Sequence, residues 1–114
     1  MSRGGALLAA AALLTGCAST TTLYHWGHYQ DLIYASYVEP GKLPLEAEVE
    51  KLEQDRQQAL AANKRLPPGW HAHVGLLYYQ LGKSDQALQE LGREKAEFPE
   101  SAVFIDHLLG NLSR

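Results

Sequence analysis

Five histidines, a single cysteine and one acid–histidine step are the residues of this chain whose types could do chemistry. His71 and His73 stand two apart. On a helix that turns their side chains about 200° from one another, so they cannot close on one ion. His25 and His28 share a face if their stretch is helical. No His-Glu-x-x-His spacing exists, and no thiolate is left over for a zinc site once Cys17 is spoken for. Asp106-His107 with Ser84, Ser101 or Ser113 supplies the residue types of a hydrolytic triad, yet no nucleophile-elbow pattern surrounds any of these serines. The expectation is no metal, no cofactor and no catalytic residue; the histidines are satisfied or surface groups, and the protein is not an enzyme.

Cys17 has a different use. Arg3 is followed by an unbroken Ala and Leu run from Ala6 to Leu14, and then by Leu14-Thr15-Gly16-Cys17. The run is shorter than the about 20 apolar residues that span a bilayer. It has the length of a signal-peptide core ending in small residues. A plain secretory signal needs no cysteine there. The segment Leu14, Thr15, Gly16, Cys17 is similar to the lipobox of bacterial lipoproteins. That resemblance implies removal of residues 1–16 and a diacylglycerol on the Cys17 sulfur, with acyl chains of the palmitate kind. Two or three chains hold a protein to a membrane stably where one does not. Ala18 and Ser19 stand where lipoproteins retained in the inner membrane carry Asp. The resemblance therefore implies an outer-membrane address, with the domain on the periplasmic face. With its one cysteine lipidated, the chain forms no internal disulfide.

Removal of residues 1–16 from 114 leaves 98, and Arg3 goes with them. Nine basic residues then face thirteen acidic ones. Such a balance argues against nucleic acid as a partner and against a polybasic membrane contact. Residues 17–22 form a lipidated N-terminus and short linker, and residues 23–114 a folded domain. Five extended residues reach at most roughly 18 Å, so the domain sits close to the bilayer.

The elements that must position these residues are helices. Tyr24, Trp26, Tyr29, Tyr34 and Tyr37 form an aromatic cluster, and from Gly27 to Val38 the spacing of Tyr29, Leu32, Ile33 and Tyr37 fits one helical face. Pro40-Gly41 ends it. Leu45 to Ala62 is rich in Glu, Leu, Gln and Ala, all good helix formers. Leu45, Val49, Leu52, Ala59 and Leu60 make its apolar stripe, and Asn63 is its stop. Pro67-Pro68-Gly69 is a rigid turn. A third helix runs from Trp70 to Leu81 and is closed by Gly82. Ser84 caps a fourth that runs to Glu97. Pro99 breaks it, and Glu100 to Leu112 is a fifth, with Ile105, Leu108, Leu109 and Leu112 inward. The fold class is all-α, with five helices.

The most specific pattern lies across the third and fourth helices. Tetratricopeptide repeats place Leu-Gly three residues before Tyr, then Ala nine on, a large apolar residue four further and Pro eight beyond. Val74, Gly75, Tyr78, Ala87, Leu91 and Pro99 fall at those offsets. His71 takes the usual Trp position, and Glu94 replaces a usual small residue. The spacing predicts close antiparallel packing, with Gly75 and Ala87 small where the helices approach. The expected architecture is a short tetratricopeptide-like array. A degenerate first pair precedes the repeat, and the last helix acts as a cap.

Several segments together resemble one family: Tyr24-His25-Trp26-Gly27-His28-Tyr29, Pro67-Pro68-Gly69-Trp70-His71-Ala72-His73 and Glu94-Lys95-Ala96-Glu97-Phe98-Pro99-Glu100-Ser101. The chain resembles a small group of proteobacterial lipoproteins known only as domain of unknown function 4810, over nearly its whole mature length. Members are often encoded beside a lipoprotein similar to the curli-type secretion pore. The resemblance implies a part in an outer-membrane assembly and no reaction. The expected function is a non-catalytic scaffold or adaptor that binds a partner outer-membrane lipoprotein. The alternative is a structural or stress-related envelope lipoprotein that binds a periplasmic ligand such as peptidoglycan. Tyr24, Trp26, Tyr29, Trp70 and Phe104 are the candidate partner or interface surface; for Tyr24, Trp26 and Tyr29 the first reading is core of the first helix pair and the second a place at the lipid interface, and Val103 widens the apolar arc of the last helix.

Overall fold

The computed structural model describes residues 22–114; the signal segment, Leu14, Thr15, Gly16 and Cys17 lie outside the described residues. Five helices carry the fold: α1 (Tyr29–Val38), α2 (Leu45–Ala61), α3 (Trp70–Gln80), α4 (Ser84–Glu97) and α5 (Ala102–Leu112). A 3-10 turn at Pro99–Ser101 leads into α5. No helix among the described residues is long and apolar enough to cross a membrane.

Local chemistry sets the boundaries. Asn63 takes a left-handed backbone at φ 52°. The Lys64 and Asn63 amides then close on the Ala59 and Leu60 carbonyls at 2.9 and 3.1 Å, which is a Schellman end for α2. Gly82 does the same for α3, with the Lys83 and Gly82 amides on the Tyr78 and Tyr79 carbonyls. Three predicted starts shift. α1 opens at Tyr29 rather than Gly27, because Gly27 holds φ 49° in the turn before it. Ser84 is the first residue of α4 and makes no side-chain cap; Lys83 precedes it at the cap position. The fifth helix is entered through the 3-10 turn, since Pro99 has no amide hydrogen to continue α4.

α3 and α4 run antiparallel. Gly69 pairs with Glu94, His71 with Glu90, and Gly75 lies beside Leu91 and Ala87, so one number falls as the other rises. The main core joins Leu32 of α1, Leu52 and Ala59 of α2, and Trp70, Val74 and Leu77 of α3. A second, smaller core is Ala72, Leu91 and Ile105, with Leu108, Leu109 and Leu112 packed against it. Two stripe assignments are corrected. Tyr37 is 83 % exposed and Leu60 68 %. At 3.6 residues per turn, Tyr37 lies about 140° around α1 from the buried Leu32, and Leu60 about 80° around α2 from Leu52. The segment before α1 is stitched to the α2–α3 linker, where the His25 amide donates to the Arg65 carbonyl at 2.8 Å.

Candidate functional site

The polar residues that meet inside this bundle were not signalled by any motif. Arg56 of α2 lies with its guanidinium 4.8 Å above the Trp70 ring. It donates to Glu53 on its own helix at 2.9 and 3.1 Å and to Glu90 across on α4. Glu90 also pairs with His71 Nδ1 at 2.8 Å, and the Tyr78 hydroxyl donates to Glu53 at 2.8 Å. One cluster therefore ties α2, α3 and α4 together. Burial pushes the Glu90 carboxyl up, but the hydrogen bonds from His71 and Arg56 outweigh it and hold the group below its ordinary value. Burial, then the bond to Glu53, pushes the Tyr78 phenol up to about 12.

Three further carboxylates clamp backbone or imidazole. Asp55 is fully buried and accepts from the His28 amide at 2.7 Å, with His28 Nδ1 at 2.8 Å from its other oxygen. It closes over Gly27, where an added Cβ would fall 2.3 Å from the carboxylate carbon. Glu94 accepts from the Gly69 amide at 2.7 Å and so caps the entry to α3 from α4. Glu48 holds His73 Nε2 at 2.8 Å. Burial, then the Glu94 charge, raises the Tyr29 phenol.

The candidate surface residues separate. Tyr24, Trp26 and Tyr29 are half-buried and form an aromatic chain, from Phe98 to Tyr24 at 6.1 Å, on to Trp26 at 6.3 Å and Tyr29 at 6.4 Å. Trp70 is no surface residue: it is fully buried beneath Arg56, and its indole N–H has no acceptor among the described residues. Phe104 is 56 % exposed on α5, beside Val103 at 84 %. Of the repeat positions, Gly75 brings α3 against α4. A Cβ there would lie 3.1 Å from Leu91 Cγ and 3.2 Å from the Ala87 carbonyl oxygen. Val74, Tyr78, Ala87 and Leu91 are buried, and Pro99 opens the turn to α5.

The residues weighed from sequence for chemistry have other partners among the described residues. Asp106 pairs with Lys95 at 2.7 Å, His107 with Asn111 at 3.2 Å, and the hydroxyls of Ser101 and Ser113 bond nearby carbonyls. Among the described residues no three His, Cys, Asp or Glu side chains are grouped to hold a metal. His28, His71 and His73 each face a carboxylate, and no serine or threonine hydroxyl is bonded to any of them among the described residues. The signal that could have revealed the buried charges is phase. Glu48, Leu52, Asp55 and Ala59 recur at four, three and four, so two acids occupy core positions of α2.

Two of the clefts among the described residues bear on partner binding. One, of about 330 Å³, lies between the end of α2 and α4 and is lined by Arg56, Lys64, Arg65 and Arg93 with Leu60 and Glu97. The other, of about 120 Å³, lies between the α3–α4 turn and the end of α5, walled by Tyr79, Leu88, Leu109 and Leu112.

A family model described as a domain of unknown function, DUF4810, matches residues 23–108. No curated protein and no solved structure matches the chain.

Proposed function

The chain belongs to the DUF4810 family, and we propose that it acts as a non-catalytic helical scaffold or adaptor, tethered through lipid on Cys17 to the periplasmic face of the outer membrane. There it holds a partner lipoprotein of an envelope assembly, with a secretion pore of the curli type as the first candidate. The observation that carries this reading is the outer face of α5. Ile105 is fully buried against Ala72 and Leu91, while Val103 and Phe104 stand outward with no further helix over them among the described residues. In stacked helical arrays each unit buries its face against the next, and an uncovered apolar face marks a docking surface. The close approach at Gly75 supports reading α3 and α4 as a tetratricopeptide-like pair. Imidazoles locked to carboxylates support a positioning role over turnover. Confinement of both partners to one membrane would raise their effective concentration.

In-cell crosslinking of the intact chain, followed by mass spectrometry of what is recovered, tests this. The expected result is a pore-like lipoprotein that is lost when Val103 and Phe104 are replaced by Ser. Recovery of the chain alone, or of cell-wall fragments, would move the structural envelope reading into first place.

A further inference from the structure

We propose that the cleft between the end of α2 and α4 seats the phosphate of an anionic phospholipid headgroup in the surface to which the chain is tethered. The inference rests on the lipid-tether reading above. Its starting point is an asymmetry. Residues 17–114 carry nine Lys and Arg against thirteen Asp and Glu, yet four of the nine line this one cleft. The overall balance opposes an anionic surface; the local one does not. Arg56 at the floor is engaged by Glu53 and Glu90. Arg93 and Arg65 on the rim are about half exposed, and their carboxylate contacts are long, 3.3 Å to Glu90 and 3.9 Å to Glu97. The Lys64 ammonium touches only the Thr22 hydroxyl among the described residues, at 3.5 Å. The carboxylates facing these four cations are Glu53, Glu90 and Glu97, so the cleft keeps a cationic excess before His71 is considered.

Two observations point this excess at a lipid surface. The first is where the tether leaves. Thr22 lies on Lys64, and the His25 amide is bonded to the Arg65 carbonyl, so the chain enters the fold at the rim of the cleft. Cys17 is five residues before Thr22, a distance of at most roughly 18 Å. The rim thus stays within reach of the headgroup layer, where attraction falls off over a Debye length of about 8 Å. The second is the wall. Leu60 stands 68 % exposed beside the cations, with Ala59 and Leu66 behind it. A phosphodiester carrying glycerol and acyl carbons uses both the cationic rim and the apolar lip; inorganic phosphate uses only the first.

The test takes the full processed chain, its lipid verified by intact mass, in vesicles of phosphatidylcholine alone or with added phosphatidylglycerol. Acetylation of each lysine is followed by mass spectrometry. Lys64 is expected to react severalfold more slowly in the phosphatidylglycerol vesicles, with Lys42, Lys51 and Lys83 unchanged and the protection removed by high salt. Arg93→Glu should abolish the protection while helical circular dichroism is retained; if that variant does not fold, Arg93→Gln serves. Equal Lys64 reactivity in the two vesicles overturns the inference on its own. Equal protection by inorganic phosphate over phosphatidylcholine overturns the headgroup assignment in favour of a free anion. A processed mass without diacylglycerol overturns the tether beneath both.

Discussion

α3 meets α4 and α2 by different means. Against α4 the backbones come close at Gly75, which has no side chain, and Leu91 and the Ala87 carbonyl fill the space a Cβ would take. Against α2, Leu52 and Ala59 pack on Trp70, Val74 and Leu77, and long polar side chains bridge the edge of that contact, with Arg56 over Trp70 and Glu53 bonded to Tyr78. One interface depends on what is missing from a position, the other on what is paired there. They should therefore fail under different insults.

The largest expected effect is on the bridged side. Arg56→Ala leaves Glu90 buried with one cation fewer and uncovers the Trp70 ring. Breaking a buried pair from one side costs about 3–5 kcal/mol, and urea unfolding should show a midpoint reduced accordingly. A companion Glu90→Gln in the same chain should restore part of the loss, since it removes the stranded charge. If the single variant unfolds at the wild-type midpoint, the network holds nothing together, and the contrast between the interfaces fails.

Next comes the close side. Gly75→Leu must displace Leu91 or the α4 backbone, because the Ala87 carbonyl at 3.2 Å belongs to a helix and cannot swing away. Overpacking of this kind costs about 1–3 kcal/mol. Gly75→Ala should fall at or below the low end, as Leu91 needs to move only a few tenths of an ångström and alanine favours the helix. Unchanged melting of the leucine variant would mean that α3 and α4 do not approach as closely as described.

Acid separates the buried ion network around Glu90 from the close packing at Gly75 without mutation. The folded Glu90 carboxyl titrates below its unfolded value. Its stabilising contribution is thus complete above the unfolded carboxylate range and is lost as pH falls through the folded value. Tyr78 has the opposite sign: its contribution is complete below pH about 10 and is lost as pH rises towards about 12. Hydrogen exchange at decreasing pH should show amides facing the α2 contact losing protection before those at Gly75. Glu90→Gln should flatten the acid limb of stability. An acid limb unchanged by that substitution would assign the loss to other carboxylates.

The same contrast explains what was legible in the sequence. Close apolar packing leaves a signature of small and large residues at fixed offsets, and Gly75, Ala87 and Leu91 were found by it. So were the helix ends at Asn63 and Gly82, where the backbone needs a positive φ. Buried charge leaves a fainter trace: Asp55 and Glu48 fall in phase with Leu52 and Ala59, but only the fold brings His28 and His73 to them. Trp70 was misplaced for a related reason: an aromatic residue after a Pro-Gly turn looks available until Arg56 is laid over it. Glu94, set aside as a departure from the repeat pattern, caps the start of α3. The cationic cleft was invisible because its members come from α2, the following linker and α4.

The smallest expected effect on stability lies at the last helix, where α5 behaves like neither interface. Its inner residue Ile105 is fully buried, while Phe104 next to it faces outward. Phe104→Ser removes apolar area of which more than half was already in contact with water, so stability should change by no more than about 1 kcal/mol. Binding should respond differently. If α5 carries the docking face, a substitution silent in urea unfolding still lowers recovery of the crosslinked partner. If stability falls by several times that amount, Phe104 is packed and the strip is a core residue seen from outside. If stability and recovery both stay unchanged, the partner is held elsewhere, and the cleft beside Tyr79 and Leu88 becomes the next apolar surface to test.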